Sequence, residues 1–383
     1  MKIIIAPDSF KGNMTSVEVC GAIEEGIHRA DNRAEVIKLP LADGGEGTAR
    51  ALTEAAGGRS VEALVTGPLG DPVNAGFGLI NGGKTAVLDL ASASGIELIP
   101  KEKLNPMKAT SFGTGQLITA ALNTGAGEIL IGIGGSATND GGMGMLAALG
   151  FHLLDKADRP IELGAEALVR AEKFDSSGAD PRLKNTAVTV ACDVTNPLLG
   201  INGASAVFGP QKGADPEMVK ILDANLAKLG QCWINAGLTD NLECPGDGAA
   251  GGAGAALRIC LGAKIESGAM MVMNYSGFFE KISGADLLIT GEGMTDSQTA
   301  GGKLCSVAAR ESRKAGVPAA LLSGALGGDP SMLLEMFDYA ISISCGETSL
   351  DEMIKMSRRD LVFAAENLIR AIQLGKVLGP KVY

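Results

Sequence analysis

Residues 2–12, KIIIAPDSFKG, set the architecture of the chain. Three consecutive isoleucines from Ile3 form an apolar run without polar alternation, which is typical of a parallel strand buried on both faces. A polar, glycine-containing loop follows, and then Thr15 and Glu18 stand at the spacing of a capping box, which predicts a helix. A buried strand, a polar loop and a helix in succession predict a parallel α/β fold.

The same order recurs along the chain and is most regular at its two ends. Near the C-terminus, the pattern predicts a buried strand over Asp286–Thr290, a glycine-rich loop and a helix over Lys303–Lys314. Residues 246–257, GDGAAGGAGAAL, suit close backbone packing more than a linker. The fold class is therefore α/β, and a length of 383 residues predicts two domains rather than one.

Composition excludes several classes of partner. Hydrophobic residues make up 46% of the chain and charged residues 20%, which is a folded composition. With 33 basic and 44 acidic residues the net charge is -11, and this argues against a nucleic-acid partner, because a phosphate backbone requires a basic face. No apolar stretch of ~18 residues is present, so we expect no membrane partner and a soluble, cytoplasmic protein.

The inventory of reactive side chains is narrow. The seven cysteines contain no C-x-x-C pair and are expected to be small buried hydrophobes in a reducing compartment. The chain has only two histidines, His28 and His152, and both lie in patterns typical of structural residues. Acid–base chemistry is therefore left to Asp, Glu or Lys.

Two glycine patterns imitate nucleotide-binding motifs. Gly78–Thr85 fits G-x-x-x-x-G-K-[ST], but a strand pattern follows Thr85, whereas a P-loop must open a helix. Gly132–Ala137 fits G-x-G-x-x-A, yet the polar loop continues to Gly142, where a dinucleotide fold already needs its helix. A nicotinamide-dependent dehydrogenase is the less favoured alternative.

Five loops combine glycine with Asp, Asn, Ser, Glu or Lys at the ends of predicted strands, where open α/β sheets bind ligands. Each loop alone also fits a turn or a helix cap. Five together are not explained by folding alone. They are residues 6–12 (APDSFKG), 40–47 (PLADGGEG), 132–144 (GIGGSATNDGGMG), 191–197 with 208–213 (ACDVTNP, FGPQKG), and 289–303 (ITGEGMTDSQTAGGK).

These runs resemble the motifs of the bacterial glycerate kinase family, in particular its glycerate 2-kinases. The matching runs keep their order and spacing over most of the chain and are long enough to be specific. They are APDSFKG (6–12), LADGGEGT (41–48), TGPLGDPV (66–73), TSFGTGQLI (110–118), IGIGGSATNDGGMGML (131–146), ACDVTNPLLG (191–200), VFGPQKGA (207–214) and ITGEGMTDSQTAGGK (289–303).

The resemblance implies an architecture and a reaction. It implies a flavodoxin-like domain with a mainly parallel sheet, built from residues 1–90 and 286–383, and a second α/β domain inserted at 91–285, with the active site in the cleft between them. We therefore expect the strand at Lys2–Pro7 to share a sheet with Asp286–Thr290. The reaction implied is transfer of phosphate from ATP, with Mg²⁺, to D-glycerate, giving ADP and 2-phosphoglycerate. A rival hydroxy acid, transfer to the 3-hydroxyl, a sugar-acid sensor without catalysis, and the oligomeric state are left open.

Phosphoryl transfer depends on positioning and charge neutralisation, so the polar loop residues receive candidate roles. Asp193 is the preferred proton acceptor because it ends an apolar strand and because Asn196 and Pro197 fix the loop behind it; Asp8 is its closest rival, and Asp43 and Asp140 are also candidates. The candidates are Asp193, Asp8 and Lys11 for catalysis; Asp43, Gly44, Gly45, Glu46, Ser111, Asn139, Asp140, Gln211 and Lys212 for substrate; Gly291, Glu292, Gly293, Asp296 and Lys303 for ATP; and Asp296 and Asp8 for the metal.

Overall fold

The computed structural model describes residues 1–41, 47–296, 304–346 and 349–378. The strands are β1 (Lys2–Ile5), β2 (Glu35–Lys38), β3 (Arg59–Thr66), β4 (Pro72–Ile80), β5 (Thr85–Asp89), β6 (Glu128–Gly132), β7 (His152–Leu154), β8 (Lys173–Asp175), β9 (Ala187–Ala191), β10 (Lys264–Glu266), β11 (Leu287–Thr290), β12 (Met294–Thr295), β13 (Ala319–Ser323), β14 (Ala325–Leu326) and β15 (Tyr339–Ser342).

The α-helices alternate with these strands through most of the chain. They are α1 (Ser16–Ala30), α2 (Thr48–Ala55), α3 (Ala91–Ser94), α4 (Phe112–Asn123), α5 (Met143–Ala148), α6 (Ala204–Phe208), α7 (Pro216–Asn235), α8 (Ala249–Leu261), α9 (Gly268–Tyr275), α10 (Phe278–Ile282), α11 (Leu304–Lys314), α12 (Leu333–Met336) and α13 (Leu350–Leu378). Within the described ranges, no helix is both long and apolar enough to cross a membrane.

The chain divides into two compact units, and the first consists of residues 1–43 and 269–383. Its described residues form a five-stranded, fully parallel sheet in the order β2-β1-β11-β13-β15. Numbered within the unit, this order is 2-1-3-4-5, that of the flavodoxin-like fold. Ile3 of β1 lies opposite Leu287 of β11, so the prediction that these two strands share a sheet is confirmed.

The core of the first unit is built from the apolar residues of β1 and α1 that the sequence pattern predicted to be buried. The side chains from Ile3 to Ile5 are fully buried. The predicted capping box is present, since Thr15 accepts a hydrogen bond from the Glu18 amide and Glu18 accepts one from the Thr15 amide. Helix α1 then packs its apolar face, including Ile23 and Ile27, with the buried residues of α13.

The second unit is residues 44–268. The largest sheet among its described residues has six strands in the order β10-β9-β6-β5-β4-β3. Pairing is parallel from β10 to β5, and antiparallel from β5 through β4 to β3. The carboxyl ends of β5, β6 and β9 therefore meet at one edge of the sheet, which is where the sequence places two of the five polar loops.

The boundaries of the two units differ from the predicted ones. Residues 59–89, predicted in the first domain, form β3 to β5 in the sheet of the second unit, because Asp89 of β5 pairs in register with Gly132 of β6. Residues 269–285, predicted in the inserted domain, belong to the first unit. The predicted cleft location of the active site stays a prediction.

The structure around the two excluded glycine motifs agrees with their exclusion. Residues 81–83 form a tight turn and Thr85 begins strand β5, so the GKT run opens no helix. After β6 the loop runs to Gly142 before α5 begins at Met143, as the extended polar loop predicts. All seven cysteines are free thiols.

Candidate active site

The first unit has a topological switch point between β1 and β11, where strand order reverses and open α/β sheets bind ligands. The loop after β1 carries Asp8 and Lys11, and the loop after β11 carries Gly291, Glu292 and Gly293. The two loops touch, since the Asp8 amide donates to the Gly291 carbonyl at 2.8 Å. A Cβ on Gly293 would lie 3.3 Å from the backbone nitrogen of Lys11, so glycine at this position lets the two loops approach each other closely.

Two carboxylates lie at this switch point. Asp8 and Glu292 are both half-buried. Asp8 Oδ1 accepts from the Ser9 amide at 2.6 Å, and Glu292 Oε1 accepts from the Thr295 hydroxyl at 3.0 Å. The Cys305 thiol is buried near both, and burial, followed by the negative charges of Glu292 and Asp8, raises its pKa well above the usual range. Cys305 is therefore a neutral thiol and not a nucleophile.

Further residues hold the Gly291–Asp296 loop in place. The hydroxyl oxygens of Thr295 and Ser323 lie 2.9 Å apart, within hydrogen-bond distance, and β12 pairs with β14. Asp296 follows β12 directly and is half-buried. Lys11 is exposed to solvent. The switch point thus combines hard carboxylate oxygens with a cation at the rim of a glycine-rich loop.

The carboxylates at the switch point are hard oxygen ligands of the type that Mg²⁺ prefers. Among the described residues, no group of three His, Cys, Asp or Glu side chains could hold a metal ion. Mg²⁺ usually takes only one or two carboxylates and completes its shell with water and phosphate oxygens. Asp8 and Asp296 fit that requirement by their chemistry.

Some predicted residues cannot be placed. Asp43, Gly44, Gly45 and Glu46 lie outside the described residues, and so does Lys303. Helix α11 is described from Leu304 onward. The roles assigned to these five residues stay predictions.

In the second unit, Asp140 is fully buried in the loop after β6. Its Oδ2 accepts from the Ser111 amide and hydroxyl, both at 2.8 Å, and from the Gly144 amide at 3.2 Å; its Oδ1 accepts from the Gly142 amide at 3.1 Å. Burial raises the pKa of Asp140, and these hydrogen bonds oppose that shift. Ser111 Oγ in turn accepts from the Met145 amide. Ser111 and Asp140 therefore join the starts of α4 and α5.

Lys212 enters the same loop from the turn at 210–212 and is only 2% exposed. Its Nζ donates to Ser136 Oγ at 2.8 Å and to the Thr138 carbonyl at 2.7 Å. Burial lowers its pKa to about 7, and the charge of Asp140 acts in the opposite direction. The neighbouring Gln211 is exposed.

Asn139 is also fully buried, and its amide nitrogen donates to Ser205 Oγ at 2.9 Å. Two buried atoms of the loop, Thr138 Oγ1 and Asn139 Oδ1, make no hydrogen bond to any described residue. Buried polar atoms without partners are uncommon and call for an explanation. The loop after β6 is thus the part of the second unit whose polar groups are least satisfied by the chain itself.

Asp193 follows β9 and is exposed at the same edge of the sheet. Its Oδ1 accepts from the Gly268 amide at 3.0 Å, at the start of α9. Asp193 was predicted to end an apolar strand; the strand ends at Ala191, and Asp193 follows it by two residues. The carboxylate therefore has a fixed position and access to solvent, two properties that a general base requires.

Sequence reasoning missed one residue that shapes this edge. Asp89 ends β5, is buried, and accepts from the amides of Gly47 and Ala49 at the start of α2. It fixes the chain at Gly47 and Ala49, which follow Asp43 and Glu46 in the sequence. An acidic residue at the end of an otherwise apolar strand was the available signal.

Comparison with known proteins agrees with this geometry. A model of the glycerate kinase family matches residues 3–373. The chain is 44% identical to the "Glycerate 2-kinase" of Escherichia coli, over 98% of this chain and 99% of that protein. It is 43% identical to the "Glycerate kinase" of Haemophilus influenzae, over 97% and 99%. A crystal structure of a putative glycerate kinase 2 from Salmonella typhimurium superposes with a TM-score of 0.89 at 42% identity, covering 98% of this chain and 99% of that one.

Proposed function

The chain belongs to the glycerate kinase family, and from this premise we propose that it transfers the γ-phosphoryl group of ATP to the 2-hydroxyl of D-glycerate, giving ADP and 2-phosphoglycerate. The observation that carries the proposal is the pair of polar loops at the switch point of the flavodoxin-like unit, together with the buried polar loop after β6 in the second unit. We also propose that the protein is located in the cytoplasm.

The nucleotide phosphates are assigned to the switch point of the first unit. Gly291 and Gly293 let the backbone approach the phosphates closely, and Lys11 supplies a cation near them. Asp8 and Asp296 would hold Mg²⁺, which neutralises phosphate charge when bound. Lys303 keeps its proposed phosphate-binding role. Glu292 is engaged by Thr295, and its proposed contribution is to hold the loop that faces the nucleotide.

D-Glycerate is assigned to the second unit. Asp193 is the proposed proton acceptor, because it is the exposed carboxylate that follows β9. Gln211 is exposed beside Lys212 and is a proposed substrate contact, as are Asp43 to Glu46. Ser111 and Asp140 are proposed to act indirectly, because their hydrogen-bonding capacity is used on each other and on backbone amides.

The test of this proposal is glycerate-dependent release of ADP. With Mg·ATP and D-glycerate the purified protein should release ADP, and removal of the metal with a chelator should abolish the release, since the phosphate charge is then no longer neutralised. Glycerol, which lacks the carboxylate, and L-glycerate are the control substrates. Release of ADP at the same rate without glycerate, or no release from folded protein, would refute the proposal.

A further inference from the structure

A buried lysine, Lys212, lies behind the loop that follows β6. Lys212 Nζ donates two hydrogen bonds, both to neutral acceptors, Ser136 Oγ and the Thr138 carbonyl. Lys212 makes no ion pair with any acidic residue in the part of the chain that the structure describes. A lysine so deeply buried is costly unless an anion compensates it, and Asp140, whose charge acts on Lys212, makes neither a hydrogen bond nor an ion pair with it. This is an unusual arrangement for a residue whose only task is to hold a loop.

The loop in front of Lys212 presents hydrogen-bond donors. The amides of Gly134, Gly135 and Ser136 donate to no described residue. Gly134 is half-buried and Gly135 is exposed, so part of this surface can be reached from solvent. The Ser136 hydroxyl oxygen accepts from Lys212, so the proton of this hydroxyl can be donated to another acceptor. Consecutive free amides beside a buried cation form the type of concave backbone site that binds anions.

The loop is held rigidly in this conformation. Gly135 has φ +71°, a backbone conformation that favours glycine. The Gly135 carbonyl accepts from the Ile96 amide at 2.9 Å, and the Ala137 amide donates to the Ser94 carbonyl at 2.9 Å. The donors therefore keep their positions without a ligand, which reduces the entropy cost of binding one.

We propose that the amides of Gly134, Gly135 and Ser136, the Ser136 hydroxyl and the buried Lys212 ammonium form the subsite for the carboxylate of the substrate. The inference rests on the proposed function and deepens it, because it names the residues that hold the carboxylate of the substrate. Ser136, Gly134 and Gly135 are added here as binding residues, and Lys212 acts from behind the loop rather than at its surface.

The neighbouring strand brings Asp193, the proposed base, to the same end of the sheet as the proposed subsite. Strand β9 lies beside β6, with Ala191 opposite Gly132, and Asp193 follows two residues after Ala191. Adjacent strands are ~5 Å apart. In a 2-hydroxy acid the hydroxyl is on the carbon next to the carboxylate, so a carboxylate at Ser136 brings that hydroxyl towards the side of Asp193.

The test is substitution of Ser136 with separate measurement of both substrates. Ser136→Ala should raise KM for D-glycerate about 10-fold, the effect of losing one hydrogen bond to a charged group, and leave KM for ATP within twofold. Ser136→Thr keeps a hydroxyl and should restore most of the affinity. The control is Ser312→Ala, which removes a buried serine hydroxyl that donates to the Val317 carbonyl in the first unit. An unchanged KM for glycerate, or a rise in KM for ATP instead, would overturn the assignment.

Binding of simple anions tests the subsite without turnover, so its failure can be distinguished from failure of the proposed function. Calorimetric titration with lactate, a 2-hydroxycarboxylate, should show binding to the wild type and to Ser312→Ala, and about 10-fold weaker binding to Ser136→Ala. Stronger binding of inorganic phosphate than of lactate would contradict the proposal, as would equal lactate affinity in all three proteins. If the three proteins bind lactate as expected but none of them releases ADP in the presence of glycerate, the proposed function is refuted and the proposed subsite is still supported.

The buried lysine adds a readout that a purely structural role would not change. Because burial lowers the pKa of Lys212 to about 7, lactate affinity in the wild type should fall as pH rises from about 6 to about 8.5, since the neutral amine no longer attracts the carboxylate. The charge of Asp140 acts in the opposite direction on the pKa of Lys212. At the higher pH, binding should take up protons. Lys212→Met should bind weakly at both pH values. A wild-type affinity independent of pH, with no proton uptake, would count against Lys212 as the counter-charge.

Discussion

Asp193→Asn is expected to lower turnover by about 100-fold or more, with KM for ATP and for glycerate near the wild-type values. Asp193 is exposed after β9, and its Oδ1 accepts from the Gly268 amide at 3.0 Å. Asparagine keeps an oxygen that can accept this hydrogen bond, so the start of α9 remains held. What the variant loses is the ability to take the proton of the substrate hydroxyl. Steady-state kinetics with both substrates measures the effect.

The control for this variant is another helix-capping aspartate in the same unit. Asp215 caps α7 by accepting from the amides of Glu217 and Met218, and Asp215→Asn should leave turnover unchanged. If Asp193→Asn also stays within a few-fold of the wild type, Asp193 only caps α9. The role of base would then pass to Asp8, and Asp8→Asn would be the next variant to measure.

Asp140→Asn is expected to lower the free energy of unfolding by about 3 kcal/mol or more. The buried carboxylate accepts four hydrogen bonds, three of them at Oδ2. An asparagine must turn its amide nitrogen, a donor, towards some of the same donors, and those buried groups then lose their acceptor. Denaturation with urea, followed by circular dichroism, measures the loss.

A surface aspartate provides the comparison. Asp155 accepts from the amides of Ala157 and Arg159 and from the Arg159 guanidinium, but it is partly exposed. Asp155→Asn should therefore cost less than about 1 kcal/mol, because water replaces the lost bonds. If Asp140→Asn were equally mild and instead raised KM for glycerate, then Asp140 would contact the substrate, as the sequence analysis expected.

The first strand and the first helix could be predicted directly from the sequence. Ile3 to Ile5 form an unbroken apolar run and become a strand buried on both faces. Thr15 and Glu18 start α1 through a local interaction that spans only three residues. Such features depend on neighbours in sequence, so periodicity and capping patterns are sufficient to predict them.

The division into two units was harder to predict, for a physical reason. Strands β3 to β5 carry the same apolar and alternating patterns as strands of the first unit, and the pattern does not specify the partner strand. The partner is β6, some forty residues after β5 in the chain. The preference for β6 arises from packing in the assembled sheet, which no local window contains.

The roles within the loop after β6 were also beyond the sequence. Asn139 and Asp140 stand among glycines and suggest direct ligand contacts, yet both are fully buried. Burial of this loop depends on distant residues, since a Cβ on Gly142 would lie 2.7 Å from the Ala256 Cβ of α8. Lys212 is likewise buried by elements far from it in sequence. The sequence identifies the loop, whereas its contacts separate the binding groups from the supporting ones.

Phosphorus NMR of the product formed from D-glycerate and Mg·ATP tests transfer to the 2-hydroxyl directly. We expect a phosphate ester signal that appears together with ADP and splits by coupling to a single carbon-bound proton, that of the 2-carbon. A signal split by the two protons of the 3-carbon would indicate the 3-phosphate and contradict transfer to the 2-hydroxyl. Inorganic phosphate as the only product would contradict glycerate as the acceptor.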